Sequence, residues 1–208
     1  MIERSVSDGI RNFFISLNFQ ADKIAEHLRL PEYENLNIQL IQEEEFLGTA
    51  GSLAYMPTSK IPFIVLNADI LSTVPLDRVV AFHNKNNADF TCVVRPYRST
   101  IPYGVVKLTG DRIEDITEKP STDHLVNSGI YVLSPCILEL VESNEYLDMP
   151  VLIKRAIKAG FKVKPFLLHE YWLDIGKPDD YYKANDEYQK IFGMSKDDNG
   201  NSTSRADF

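Results

Sequence analysis

The sequence predicts a layered α/β domain. Short apolar runs alternate with helix-spaced segments through the first half of the chain, an order that predicts a mostly parallel sheet flanked by helices. With 208 residues, 44% hydrophobic and 25% charged, the chain is long enough for one domain with a substantial core. From Tyr103 onward a hairpin pattern replaces the alternation, predicting a smaller α+β part beside the sheet.

Taken in order, residues 1–10 predict a helix stopped by Gly9, and 12–18 a short buried strand. Residues 20–29 carry Ile24, Ala25 and Leu28 at helical spacing, and 37–42 form a second strand. The run from Glu43 to Ser52 reads as a glycine turn opening a helix to Met56, and 61–69 as a third strand delivering Asp69 at its end. Residues 75–86 predict a helix and 89–97 a fourth strand. The stretch 103–120 predicts a hairpin turning at Thr109, Gly110 and Asp111, and 127–135 a buried strand stopped by Pro135. A helix over 150–159 starts at proline and closes at Gly160, 162–170 is a strand, and 178–192 is a last helix with Pro178 in its first turn. The tail from Ser195 has almost nothing to bury and is expected to be disordered, which sets the domain at 1–194 and the tail at 195–208.

Composition excludes several classes of function. A formal charge of −8 without a dense Lys/Arg block argues against a nucleic-acid surface. No signal peptide and no run of about 18 apolar residues points to a membrane. Cys92 and Cys136 sit in apolar runs without CxxC spacing, so no disulfide or zinc framework is expected and a reducing, cytoplasmic location fits. His27, His83, His124 and His169 show no metal-ligand spacing.

The residues most suggestive of chemistry are carboxylates at strand ends. Asp69 closes an apolar strand, where an α/β sheet places metal and nucleotide ligands, although capping a turn explains it equally. Asp174 stands just before Gly176 and Pro178, and its alternative role is to cap the last helix. Glu43 begins an acidic run with Glu44 and Glu45 that reads by itself as a solvated face. Arg95 and Arg98 flank a loop near the expected sugar region, where phosphate binding is the alternative to the expected surface solvation, while Trp172 and the Tyr181–Tyr182 pair are expected to pack the last helix on the sheet.

The runs LGTAG, LNADIL, YGVV, EKP, VNSGIYVLSP and YWLDIGKPDDY, in this order, resemble the sugar-phosphate nucleotidyltransferase family. The likeness spans about residues 1–192 and is nearest to guanylyltransferases of surface-sugar pathways that act on mannose 1-phosphate. It implies a Rossmann-like fold and transfer of a nucleotidyl group from a nucleoside triphosphate to a sugar 1-phosphate, with pyrophosphate released. Asp69 and Asp174 then share a Mg²⁺, and Glu43, Gly48, Thr49, Ala50 and Asn67 line the nucleotide side. Small residues suit close approach to base and ribose. An acidic Glu43 matches the paired donors of guanine, which favours GTP over UTP or dTTP, with CTP or UTP as the alternative nucleotide. On the sugar-phosphate side the resemblance places Tyr103, Gly104, Glu118, Lys119, Asn127 and Gly129, with Lys119 as the catalytic cation between phosphates.

The sequence also departs from the family, whose members begin with a strand, a GGxGTRL loop and a PKP segment. None of these is present, so the N-terminal strand and phosphate loop are read as missing. Each lost phosphate-stabilising donor costs factors of roughly 10² to 10³ in rate, so little turnover is expected. A different class of function is a non-catalytic sugar-nucleotide-binding or regulatory subunit. The resemblance leaves a homo-oligomer open.

Overall fold

The computed structural model describes residues 1–176 together with Asp180, Ala184, Ser195–Lys196 and Ser202–Thr203. It opens with helix α1 (Ile2–Ser7), strand β1 (Asn12–Leu17), helix α2 (Ala21–His27) and strand β2 (Asn37–Gln42). Then follow β3 (Phe63–Leu66), β4 (Ile70–Ser72), α3 (Leu76–Lys85) and β5 (Phe90–Thr100). The second half holds β6 (Gly104–Thr109), β7 (Arg112–Glu118), β8 (Ser121–Leu133), α4 (Met149–Lys158), β9 (Val163–Leu167) and β10 (Trp172–Asp174). The expected last helix over 178–192 and the Tyr181–Tyr182 pair lie outside the described residues. So does the expected tail, apart from a short antiparallel pairing of Ser195–Lys196 with Ser202–Thr203.

The main sheet has the order β3-β8-β5-β9. Here the expectation of a mostly parallel sheet is corrected: β8 runs antiparallel to both β3 and β5, and only β9 joins β5 in parallel. The physical reason is the hairpin β6–β7, which turns the chain back so that β8 returns between β3 and β5. β1 and β2 form a separate parallel pair, and β4 pairs antiparallel with β10. The fold is mixed α/β, with small sheets rather than one doubly wound sheet.

Strand alternation sends neighbouring residues to opposite faces, and β8 shows this. Tyr131 and Leu133 join a core with Phe90, Leu147 and Leu152, where α4 covers one face of the sheet. Ile130 and Val132 join the other core with Val93, Leu76 and Val79, where α3 covers the opposite face. Beyond these cores β5 and β8 continue as an exposed two-stranded ribbon, and every residue of β6 and β7 is exposed. Gly110, with φ +64°, makes the hairpin turn.

The glycine run after β2 forms a 3-10 turn over Gly51–Tyr55, not the expected α-helix. Tertiary contacts decide this conformation. The amides of Ala50 and Gly51 both donate to Leu147 O (2.8 and 3.1 Å), and Leu147 N donates to Leu47 O (2.9 Å). A side chain on Gly48, at φ +74°, would meet Leu147 O at 2.7 Å and Asp148 Oδ1 at 2.8 Å.

Candidate active site

Asp69 lies in the turn between β3 and β4, and Asp174 is the last residue of β10. The pairing of β4 with β10 sets Asp174 opposite Ile70, and Ile175 N donates to Asp69 O at 2.8 Å. Two carboxylates distant in sequence are thus neighbours, and both are solvent-exposed. Gly176 closes the arrangement: its amide donates to Asp174 Oδ1 at 2.8 Å. Two clustered carboxylates with open surroundings suit Mg²⁺, which takes one or two protein carboxylates and fills its remaining positions with water and phosphate oxygens. Among the described residues, no cluster of three or more His, Cys, Asp or Glu adds to the pair.

Beside Asp174 opens a cavity of about 310 Å³, lined by Arg95, Tyr97, Val126, Asn127, Trp172 and Asp174. Small-molecule sites begin at about 300 Å³. Its wall is held rigidly. Trp172 donates its indole N–H to Ser128 O at 2.7 Å, and the Arg95 guanidinium stacks 4.9 Å from the Trp172 ring centroid. Trp172 therefore packs β10 onto β8 and carries Arg95; the last helix it was expected to seat lies outside the described residues. Arg95 is half-buried, which corrects its expected solvation; Arg98 is exposed and pairs bidentately with Asp123 (2.7 and 3.0 Å).

Asn127 accepts from Gly129 N at 3.1 Å and donates to Tyr131 Oη. Gly129, at φ +74°, leaves room for Asn67: a Cβ there would stand 3.0 Å from Asn67 Nδ2. Asn67 N in turn donates to Gly129 O at 2.9 Å. The structure thus brings Asn67, Asn127 and Gly129 together next to the carboxylate pair.

The remaining sequence-predicted residues stand elsewhere. Tyr103, Gly104, Glu118 and Lys119 gather at the base of the exposed β6–β7 hairpin, where Gly104 pairs with Glu118 and Lys119 N donates to Tyr103 O at 3.2 Å. Lys119 is exposed, with φ +46°, and does not line the cavity. It lies past the end of the β5–β8 ladder, which itself runs roughly 16 Å beyond Arg95 at about 3.3 Å per residue.

Glu43 is half-buried rather than part of a solvated acidic face: Ser16 Oγ donates to its Oε1 and Leu47 N to its Oε2 at 3.1 Å. Thr49 Oγ1 accepts from Met149 N at 2.8 Å, so this hydroxyl satisfies the first free amide of α4. The amides of Thr49 and Ala50 also point at the 147–148 segment, which leaves fewer donors for a base than the sequence implied.

A polar cluster that sequence reasoning missed is His83, which is 1% exposed and bridges Thr91 Oγ1 (Nδ1, 2.9 Å) and Ser134 Oγ (Nε2, 3.0 Å). Burial pushes its pKa below the usual histidine range. Burial also pushes the Cys92 thiol up to about 11, and both cysteines are free thiols.

The β4–β10 pairing thus brings two carboxylates to one point beside a small cavity in a mixed α/β fold. The chain belongs to the nucleotidyl transferase family, whose sequence profile matches residues 1–191. It is 30% identical over 193 residues to the mannose-1-phosphate guanylyltransferase catalytic subunit beta of Danio rerio, covering 86% of this chain and 52% of the relative. It is 32% identical over 200 residues to probable mannose-1-phosphate guanylyltransferase 3 of Arabidopsis thaliana, covering 90% of this chain and 60% of the relative. The chain thus spans about half the length of the curated relatives it matches. Among solved structures, HddC from Yersinia pseudotuberculosis superposes with a TM-score of 0.67 at 25% identity, covering 90% of this chain and 83% of that one. Among the described residues no helix is long and apolar enough to cross a membrane.

Proposed function

We propose that this chain carries the site for transfer of a nucleotidyl group from GTP to a sugar 1-phosphate, giving an NDP-sugar and pyrophosphate. The observation that carries the proposal is the convergence of Asp69 and Asp174 next to the Arg95–Asn127 cavity. An oxygen of the sugar 1-phosphate forms the new bond to the α-phosphorus as the bond to the bridging oxygen of pyrophosphate breaks. A phosphate monoester dianion is already a nucleophile, so the absence of histidines from the cavity walls is compatible with the reaction. Asp69 and Asp174 would hold Mg²⁺, which when bound supplies charge neutralisation at the α-phosphate. Positioning of the two reactants and electrostatic stabilisation provide the catalysis.

Guanine is favoured over uracil or cytosine because relatives are named as guanylyltransferases and because the Yersinia protein HddC has also been solved complexed with GMP-PN. Glu43 is the residue proposed to face the base. Its oxygens each keep a second lone pair beyond the bonds from Ser16 and Leu47. Gly48, Thr49, Ala50 and Asn67 are proposed to shape the surface around it. A cytoplasmic setting, where nucleoside triphosphates are available, belongs to the same proposal.

A second reading is a non-catalytic sugar-nucleotide-binding or regulatory subunit, which would use the same base-facing and sugar-facing residues without turnover. One experiment separates the two: pyrophosphate release from GTP and mannose 1-phosphate with Mg²⁺, alongside calorimetric titration of GDP-mannose, UDP-glucose and CDP. Guanine-selective binding with pyrophosphate release supports the enzyme. Guanine-selective binding without release supports the binding subunit, and binding of none of them overturns both.

A further inference from the structure

We infer that Arg95 is a further cation for the phosphate of the sugar 1-phosphate, an assignment that rests on the proposed nucleotidyl transfer. The observation is a fixed, half-buried guanidinium without an acidic partner among the described residues. Its Nη1 donates to Trp172 O at 3.2 Å, its Nε to Pro96 O at 3.4 Å, and its plane stacks on the Trp172 ring. Nη2 makes no hydrogen bond to another described residue, and no described carboxylate forms an ion pair with Arg95. A charge removed partly from water without a counter-ion is costly unless a ligand supplies one.

Location selects the ligand. Arg95 shares the cavity with Asp174, and its anchor Trp172 lies two residues before that carboxylate, roughly 7 Å along β10 by the strand rise. An anion held there lies between a preorganised donor fork and the carboxylate pair. Guanidinium geometry matches the two oxygens of a phosphate, and prior stacking on Trp172 reduces the freedom lost on binding. The cavity volume of about 310 Å³ suits a phosphorylated monosaccharide better than a whole nucleoside triphosphate. Lys119, the cation expected from sequence, stands exposed at the base of the β6–β7 hairpin, so Arg95 adds a second positive charge, on the cavity side, for the incoming phosphate.

The test is calorimetric titration of the full chain in Mg²⁺ with mannose 1-phosphate and, separately, with GTP, for the parent protein, Arg95→Gln and Arg95→Lys. A hydrogen-bonded charge contact predicts a loss of about 10- to 100-fold in mannose 1-phosphate affinity for Arg95→Gln, with a smaller loss for Arg95→Lys. GTP affinity stays within about twofold in both variants, and that also shows that they are folded. Inorganic phosphate competes with mannose 1-phosphate on the parent protein but not on Arg95→Gln. Should Arg95→Gln not fold, Arg95→Lys decides alone, because it keeps the charge and loses the fork.

Unchanged mannose 1-phosphate affinity with intact GTP binding overturns the assignment of Arg95 and leaves the functional reading standing. An equal loss for both ligands also overturns it, placing Arg95 on the triphosphate or in a purely structural role. A parent chain that binds GTP but not mannose 1-phosphate overturns it as well. A parent chain that binds neither overturns the functional reading, and the assignment with it.

Discussion

Asp69 and Asp174 flank the bare α-carbon of Gly176: a Cβ built there would stand 3.0 Å from Asp174 Oδ1 and 3.7 Å from Asp69 Oδ2. Nothing in the local sequence of either aspartate dictates this. It follows from the three-residue pairing of β4 with β10, which joins segments about 100 residues apart in sequence. Two like charges held close together are better accommodated when a cation joins them.

The first prediction concerns that pair. Asp69 makes no side-chain hydrogen bond among those described, so Asp69→Asn should leave stability unchanged within about 0.5 kcal/mol or raise it slightly as repulsion is relieved. The same change should abolish the gain in nucleotide affinity that Mg²⁺ confers. Paired titrations in Mg²⁺ and in EDTA check this. An Mg²⁺-dependent gain that survives in both Asp69→Asn and Asp174→Asn would remove the pair from metal binding.

The second prediction compares two glycines with positive φ. At Gly48 an added methyl meets Leu147 O at 2.7 Å, whereas at Gly110 it meets nothing within 4 Å. Gly110→Ala should therefore cost only the left-handed backbone penalty, about 1 kcal/mol. Gly48→Ala adds displacement of the junction with α4 and should cost about 2–4 kcal/mol. Urea denaturation midpoints of the two variants, with m-values compared, give the ordering; equal losses would show that the 47–51 junction with 147–149 is loose.

Helix positions and the hairpin were legible in the sequence because their signals are local. Apolar spacing and Gly110 place α3, α4 and the β6–β7 turn within a few residues of where they occur. Pairing was not legible, because an apolar run such as Phe63–Leu66 does not say which strand lies beside it, and β8 takes that place from far along the chain. Arg95 illustrates the same limit at the site. In the run Val93-Val94-Arg95-Pro96 it reads as a strand leaving the core, and only the fold reveals Trp172 beneath it. Thr49 and Glu43 were read as ligand-facing, yet each first serves a backbone amide that the sequence cannot show as needing a partner.

The third prediction is a pH dependence. Ser134 Oγ donates to Ala88 O (3.2 Å), so it accepts from His83 Nε2–H, and Thr91 Oγ1 donates to the bare Nδ1. Protonating Nδ1 would reverse that bond, displacing the Thr91 hydroxyl proton, and bury a charge, and the nearby Asp89 only partly opposes this. The folded pKa therefore lies below the unfolded value of about 6.5. The unfolded chain binds the proton more readily, so the contribution of His83 is full above that value and is lost as pH falls through it toward the folded pKa. His83→Gln should be less stable at pH 7.5 by about 1–2 kcal/mol and should show a flatter decline toward acid. Urea unfolding across the pH range tests this; an identical slope in parent and variant would remove His83 as the source.

The fourth prediction comes from the edge of the main sheet. β3 packs on both cores, Phe63 and Val65 against one and Ile64 and Leu66 against the other, as an interior strand does. Nevertheless it pairs only with β8, and among the described residues its other edge has no strand partner. The bond from Asn67 N to Gly129 O fixes the alternation: Phe63 and Val65 direct their amides at β8, and Ile64 and Leu66 direct theirs at the open edge. Ile64 also lines an open cavity of about 360 Å³ with Ile10 and Val80, so water reaches that edge. Native-state hydrogen exchange should then show Val65 protected to near the global limit and Ile64 and Leu66 exchanging orders of magnitude faster, despite their adjacent positions. Protection of Ile64 and Leu66 equal to that of Val65 would mean that the edge is paired in solution, by a second molecule or by residues outside those described. Repeating the measurement at several protein concentrations separates these two causes, because only pairing between molecules weakens on dilution.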